Sequence, residues 1–133
     1  MTRPEFDGLV AAVTGGAAGI GLAIAQELAD RGARVAVLDL EVVKVPDPLH
    51  GITCDVRDTQ SVGAAVAGVV ERFGGLDVLI NNAGISAVGT VEDNDDDEWA
   101  RVLDVNVVGV ARATRAALPH QRASEHAAVV NLC

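Results

Sequence analysis

The chain has 133 residues, which is enough for one domain with a buried core, and half of its residues are apolar. Its formal charge of −9 argues against nucleic acid or an anionic membrane surface as a partner, because both would repel an acidic protein. Cys54, Cys133 and the three histidines lack the spacing of a disulfide or a metal site, so we expect no metal and a reducing setting. No apolar run has the length of a signal-peptide core or a membrane span, and we expect a cytoplasmic protein.

The first predicted elements are a strand, a glycine-rich turn and a helix. Residues 9–13 form a continuous apolar run, as expected for a parallel strand covered on both faces. The turn TGGAAGIG follows at residues 14–21, and apolar residues at helical spacing continue from Gly19 to a stop at Gly32. Glycines let the backbone approach a phosphate, and the helix N terminus offers free N–H groups. The context favours dinucleotide binding over a purely structural turn.

The second predicted strand, residues 34–38, ends at Asp39, at about the 20-residue interval at which an acidic residue meets the adenosine ribose. A carboxylate accepts hydrogen bonds from the ribose hydroxyls but repels a 2′-phosphate. No Lys or Arg lies within residues 15–21 or directly after Asp39. This pattern favours NAD(H) over NADP(H), and a solvated carboxylate at a strand end is the alternative interpretation.

The rest of the chain alternates between strands and helices. The connection after Asp39 contains two prolines and is predicted to form at most one turn of helix. The elements predicted beyond it are a strand at 51–54, a helix at 59–73 with Asp58 as N-cap, a strand at 77–81, a long helix at 95–118 that ends at Pro119, and a strand at 127–132. This alternation predicts an α/β fold with a doubly wound parallel sheet.

Polar residues after the fourth strand and in the long helix are the remaining candidates. The segment NNAG at residues 81–84 is small enough to pass close to a ligand, and its asparagines serve either the scaffold or a cofactor, Asn81 more the scaffold. Asn106 falls on the apolar face of the long helix, which predicts a buried amide with partners, or an Asn that caps a kink. The acidic run at 92–98 is predicted to cap the helix, since it lacks the ligand spacing of a calcium loop.

In combination, the TGxxxGIG turn, Asp39, the pair Asp55 and Val56, the NNAG segment and Asn106 resemble the cofactor half of a classical short-chain dehydrogenase/reductase. The resemblance covers the whole chain. It implies a Rossmann-like sheet with strand order 3-2-1-4-5, NAD(H) as cofactor, and an alcohol or carbonyl as the small-molecule substrate. It also implies a homo-oligomer for the full-length protein.

The resemblance further implies a role for individual residues. Asn106 would be the catalytic residue of this part, holding a water that relays protons to an active-site lysine. The implied cofactor contacts are Gly15, Ala17, Gly19, Ile20 and Gly21 at the pyrophosphate and nicotinamide, Asp39 and Leu40 at the adenosine ribose, Asp55 and Val56 at the adenine, and Asn82, Ala83 and Gly84 beside the riboses.

The family's chemistry also needs a tyrosine, a lysine four residues later and a serine. The chain contains no tyrosine, and its one lysine, Lys44, lies in the connection after the second strand. By the family pattern, the serine would follow shortly after Cys133. We therefore expect residues 1–133 to be a partial NAD-binding domain that stops before the sixth and seventh strands and is inactive alone. The alternatives are a stand-alone non-catalytic nucleotide-binding or interaction module and, less favoured, an S-adenosylmethionine methyltransferase.

Overall fold

Five parallel strands form the centre of the structure, a computed structural model that describes residues 4–132. The strands are β1 (Val10–Thr14), β2 (Arg34–Asp39), β3 (His50–Thr53), β4 (Val78–Asn81) and β5 (Ala128–Asn131). Their order in the sheet is β3-β2-β1-β4-β5, which confirms the predicted fold. Each predicted strand overlaps an observed one, with bounds that differ by one residue at most.

The sheet order reverses direction at β1. The chain moves outward on one side through β2 and β3 and then returns to place β4 and β5 on the other side. Val13 of β1 is in register with Val37 of β2 and with Ile80 of β4. Open α/β sheets bind ligands beyond the carboxyl ends of the strands at such a reversal. The topology therefore directs attention to the loops that follow β1, β2 and β4.

Helices cover both faces of the sheet. They are α1 (Gly19–Asp30), α2 (Thr59–Phe73), α3 (Asp96–Leu103) and α4 (Gly109–Gln121), with a π-helical segment at Asp104–Val108 between the last two. Helix α1 packs on one face through Leu22 and Ala25, whereas α2 and α4 pack on the other, where Val66 and Ala113 are buried. Both faces of the central strands are therefore apolar, which explains their continuous apolar runs.

Two helices begin at a capping aspartate. The Asp58 carboxylate accepts hydrogen bonds from the amides of Gln60 and Ser61 at the start of α2, as predicted. Asp95 accepts from the amide of Glu98 at the start of α3, so the acidic run contains the predicted cap. Both carboxylates satisfy N–H groups that have no partner within the helix.

The single long helix predicted at 95–118 is wrong in two respects. The π segment interrupts it, and Pro119 does not end it, because α4 continues to Gln121. The last turn is anchored by the Gln121 amide, whose Nε2 donates to the carbonyl oxygens of Asp77 (3.1 Å) and Ala128 (3.0 Å). These contacts hold the turn after Pro119 in helical form although proline removes one helical hydrogen bond. No helix within residues 4–132 is long and apolar enough to cross a lipid bilayer.

Candidate functional site

A cleft of about 410 Å³ opens beyond the carboxyl ends of the strands, where the sheet order reverses. The cleft brings together eight of the predicted cofactor residues, namely Gly15, Asp39, Leu40, Asp55, Val56, Asn82, Ala83 and Gly84. Ala17 lies beside it in an adjoining depression that Asp39 and Leu40 also line. Gly19, Ile20 and Gly21 form the first turn of α1, and Asn106 reaches the cleft indirectly through Ile85.

Two positions of the turn, Gly15 and Gly19, are occupied by glycine for different structural reasons. Gly15 has φ +64°, and a Cβ there would lie 2.9 Å from Cα of Ala83, so the fold itself requires glycine at this position. Gly19 has φ +57°, but among residues 4–132 no atom beyond its chain neighbours and its own helix backbone lies within 4 Å of where its Cβ would be. The space in front of Gly19 is therefore open to a ligand, at the N terminus of α1.

Helix α1 begins without the cap that α2 and α3 possess. Ala18 occupies the N-cap position and provides no side-chain hydrogen bond, and the first turn contains no acidic residue. The positive end of the helix dipole and its first N–H groups are thus left for another acceptor. Ile20 in this turn is 68% exposed, although isoleucine is usually buried. These features fit the approach of a phosphate group.

The carboxylate of Asp39 ties the end of β2 to the glycine turn. Its Oδ2 accepts a hydrogen bond from the Ala17 amide (3.0 Å), and its Oδ1 accepts one from the Leu40 amide (2.7 Å). Each carboxylate oxygen keeps a further lone pair for a hydroxyl donor. The same side chain can therefore position the turn and bind a ribose.

A small hydrogen-bond network joins the turn to the segment after β4. Oγ1 of Thr14 accepts from the amides of Asn82 (3.1 Å) and Ala83 (3.0 Å). Nδ2 of Asn82 donates to the carbonyl oxygen of Gly15 at 3.0 Å, above the buried Gly21. The Asn82 side chain thus belongs to the scaffold while its backbone lines the cleft. Sequence reasoning missed Thr14, although a threonine at the end of a buried strand is a possible signal.

The Asn81 side chain links β4 to the neighbouring strand β5 and to α4. Its Nδ2 donates to Oδ1 of Asn131 in β5 (2.9 Å) and to Oγ1 of Thr114 in α4 (3.2 Å). Its Oδ1 is buried and has no hydrogen-bond partner among the described residues. This placement agrees with the expectation that Asn81 serves the scaffold more than a ligand.

The cleft is also lined by two arginines that the sequence analysis did not include, Arg57 and Arg101. Arg57 donates to both carboxylate oxygens of Asp55 (3.0 and 2.9 Å), and this guanidinium lowers the pKa of the Asp55 carboxyl below its ordinary value. Arg101 also lines the cleft and pairs with Glu98.

Burial, followed by the charge of Asp55, raises the pKa of the neighbouring Cys54 thiol to about 11, so Cys54 is neutral and unreactive at pH 7.

Asn106 lies in the π segment and holds the loop after β4. Its Oδ1 accepts from the Ile85 amide and its Nδ2 donates to the Ile85 carbonyl oxygen, both at 2.8 Å. The prediction of a buried amide is wrong, because Asn106 is exposed. The wide π turn shifts the helical register, so the apolar residues of α3 and α4 do not share one buried face, and Trp99 is 51% exposed.

No group of three or more His, Cys, Asp or Glu side chains between residues 4 and 132 is placed to hold a metal ion. The open glycine turn, the uncapped helix and an acidic strand end instead meet where the sheet order reverses. Fold and site together define the class of doubly wound nucleotide-binding domains.

The comparisons narrow this class to a family. The sequence profile described as short chain dehydrogenase matches residues 9–133, and the chain belongs to the short-chain dehydrogenase/reductase family. Trans-4-hydroxycyclohexanecarboxylate dehydrogenase of Sinomonas cyclohexanicum is 39% identical over an alignment 131 residues long, which covers 86% of this chain and 51% of the relative. A (5R,7aS)-5-hydroxy-7a-methyl-1-oxo-2,3,5,6,7,7a-hexahydro-1H-indene-carboxyl-CoA reductase of Mycobacterium tuberculosis is 39% identical over an alignment 137 residues long, gaps included, which covers 94% of this chain and 52% of the relative.

Solved structures agree with this assignment. Ligand-free aldohexose dehydrogenase of Thermoplasma acidophilum superposes with a TM-score of 0.91 at 33% identity, over 98% of this chain and 51% of that protein. A short chain dehydrogenase from Mycobacterium smegmatis gives a TM-score of 0.89 at 37% identity, over 96% and 59%. The chain thus spans about half the length of the relatives that it matches.

Proposed function

We propose that this chain is the NAD(H)-binding portion of a short-chain dehydrogenase/reductase that transfers hydride between the nicotinamide and an alcohol or carbonyl substrate. The observation that carries the proposal is the Asp39 carboxylate, held between the Ala17 and Leu40 amides at the end of β2. A carboxylate there favours two free ribose hydroxyls and disfavours a 2′-phosphate. We therefore propose NAD(H) rather than NADP(H).

Each part of this cofactor would contact a different group of residues in the cleft. The open N terminus of α1 at Gly19, with Ile20 beside it, would take the pyrophosphate, because its N–H groups lack a side-chain cap. Asp39 and Leu40 would hold the adenosine ribose, and Asp55 and Val56 would border the adenine. The bound cofactor would supply the hydride acceptor or donor, and the protein would supply orientation and electrostatics.

Asn106 is the residue of this chain that we propose to act in catalysis. Its amide fixes Ile85, the residue after Gly84, through two hydrogen bonds. From this position it would hold a water that relays protons to a lysine. The 133 residues contain no tyrosine, and Lys44 lies after β2, beside Asp39 and far along the chain from Asn106. We propose that the chain alone binds cofactor without turning over substrate.

The substrate class and assembly follow from the family and are also proposals. Relatives named as dehydrogenases of a hydroxycyclohexanecarboxylate and of an aldohexose support a hydroxyl or carbonyl as the reacting group. Trp99, Leu103 and Val107 are each about half exposed on the outer side of α3 and the π segment, which supports pairing of two copies there. The cytoplasmic location stays a prediction.

A titration separates this proposal from its alternatives. We expect NADH to bind the 133-residue chain with quenching of Trp99 fluorescence or enhancement of nicotinamide fluorescence, and NADPH to bind at least tenfold more weakly. S-adenosylmethionine should not compete. Direct binding of S-adenosylmethionine to a chain that does not bind NADH would favour the methyltransferase alternative. Reconstituted turnover by the 133-residue chain alone would contradict its proposed inactivity.

A further inference from the structure

A nearly buried guanidinium sits where α4, the π segment and the loop after β3 meet. Nη1 of Arg112 donates to the carbonyl oxygens of Val56 (2.9 Å) and Asp104 (3.3 Å), and Nη2 donates to Oδ1 of Asp104 (2.6 Å). The Arg112 side chain is only 14% exposed, whereas the side chains in the other described ion pairs are 29% exposed or more. The three contacts make it a geometric link rather than a surface charge.

Two of the three contacts of Arg112 are to Asp104, the first residue of the π segment. The Asp104 carbonyl oxygen also accepts the amide of Gly109, the bond that closes the wide turn. A Cβ on Gly109 would lie 3.1 Å from Val56, so α4 is in close contact with the residue that Arg112 also holds. Arg112 therefore secures both the register of the π turn and its distance from the loop after β3.

The π segment in turn carries two side chains that shape the cleft. Val105 is 7% exposed and lines the cleft, and Asn106 holds Ile85 through its backbone. We propose that Arg112, together with Asp104, is a positioning residue: it fixes the π segment so that Val56 and Val105 line the cleft while Asn106 holds Ile85, which lines the same cleft. The part of this inference that concerns cofactor affinity rests on the proposed function.

Hydrogen exchange measured without cofactor tests the positioning role directly. Arg112→Met should speed exchange of the Ile85 and Gly109 amides about tenfold or more, because a hydrogen-bonded charge pair is lost. Asp104→Asn should have the same effect to a smaller extent. Asn106→Ala gives the upper limit at Ile85. Arg115→Met is the matched control, since Arg115 is exposed on the same helix and has no ion pair or side-chain hydrogen bond in the described structure.

Affinity for NADH, measured on the same variants, gives the second readout. We expect Arg112→Met to weaken NADH binding about tenfold and Arg112→Lys to recover part of both effects, because lysine can keep the Asp104 pair but cannot span three oxygens. If wild-type chain binds no NADH while Ile85 exchange still responds, the proposed function fails and the positioning role stands.

Two results would overturn the positioning role even if NADH binds. One is an Ile85 exchange rate within twofold of wild type in both Arg112→Met and Asp104→Asn. The other is equal acceleration at Ile85 and at core amides such as Val13, which would make Arg112 a contributor to global stability only. If Arg112→Met does not fold, the comparison of Asp104→Asn with Arg115→Met decides between these outcomes.

Discussion

Replacement of Asp39 separates two effects that its carboxylate combines. In Asp39→Ala the Ala17 and Leu40 amides lose a charged acceptor, and a bound ribose loses the acceptor for its hydroxyls. Hydrogen bonds to charged groups contribute about 1.5 to 3 kcal/mol each. We expect Asp39→Ala to lose at least one such hydrogen bond to NADH, which raises the dissociation constant about 10- to 150-fold.

NADPH should respond differently to the same replacement. A 2′-phosphate about 4 Å from the carboxylate would experience a repulsion of about 1 to 4 kcal/mol per charge pair, depending on the local dielectric. Removal of the carboxylate relieves this repulsion, and Lys44, which lines the same depression, remains as a nearby positive charge. The preference for NADH over NADPH should therefore narrow by about two orders of magnitude.

Fluorescence titrations with NADH and NADPH at two salt concentrations measure both quantities. A loss that is equal for the two cofactors reports the loosened turn, and the change in their ratio reports the ribose contact. Glu41→Gln is the matched control, because Glu41 lines the same depression and its replacement removes the same charge. A cofactor ratio that changes by less than twofold in Asp39→Ala, or equally in Glu41→Gln, would refute the assignment of Asp39 to the ribose.

Three further outcomes test the turn and the cleft. Gly15→Ala should lower the free energy of unfolding, measured in urea, by about 2 kcal/mol or more, because the new side chain meets both a left-handed backbone and Ala83. Gly19→Ala should lower it by about 1 kcal/mol and mainly impair NADH binding. A larger loss of stability in Gly19→Ala than in Gly15→Ala would contradict this. Ala18→Asp should stabilise α1 by about 0.5 to 2 kcal/mol and abolish NADH binding, and unchanged affinity would argue against a phosphate at that helix end. The pKa of the Cys54 thiol is raised from its ordinary value of 9.0 in the unfolded chain to about 11 in the folded one. The free energy of unfolding should therefore fall by at most about 2 to 3 kcal/mol between pH 9 and 11. Parallel pH profiles of stability for wild type and Cys54→Ala would exclude the thiol as the cause.

The sheet could be predicted from the sequence because its determinants are local. Each central strand is a short apolar run, and the turns at Thr14 and after Asp39 interrupt the pattern where the chain reverses. Asp58 is a helix cap by residue type alone. The order of the strands then follows from family resemblance and from the limited ways in which parallel strands connect.

The π segment could not be predicted for an equally physical reason. It adds one residue to a helical turn, and although Asn106 suggested a capped kink as an alternative, nothing in the composition of Asp104–Val108 specifies a π turn. The register after it depends on Arg112, a contact between residues eight apart that hydrophobic periodicity cannot report. Tertiary contacts also decide two other features that the sequence did not predict. These are the exposure of Asn106 and the continuation of α4 past Pro119.

The start of α1 shows how a missing local device can itself indicate function. The chain uses an aspartate cap at α2 and at α3, yet it has Ala18 and exposed Ile20 at α1. An aspartate at position 18 would satisfy the free N–H groups, but it would also place a negative charge where a pyrophosphate would bind. Stability and anion binding therefore demand different residues at this one position. Departures from local rules are expected where a site has to remain open, and here the departure coincides with the open space at Gly19 and with the Asp39 link to Ala17.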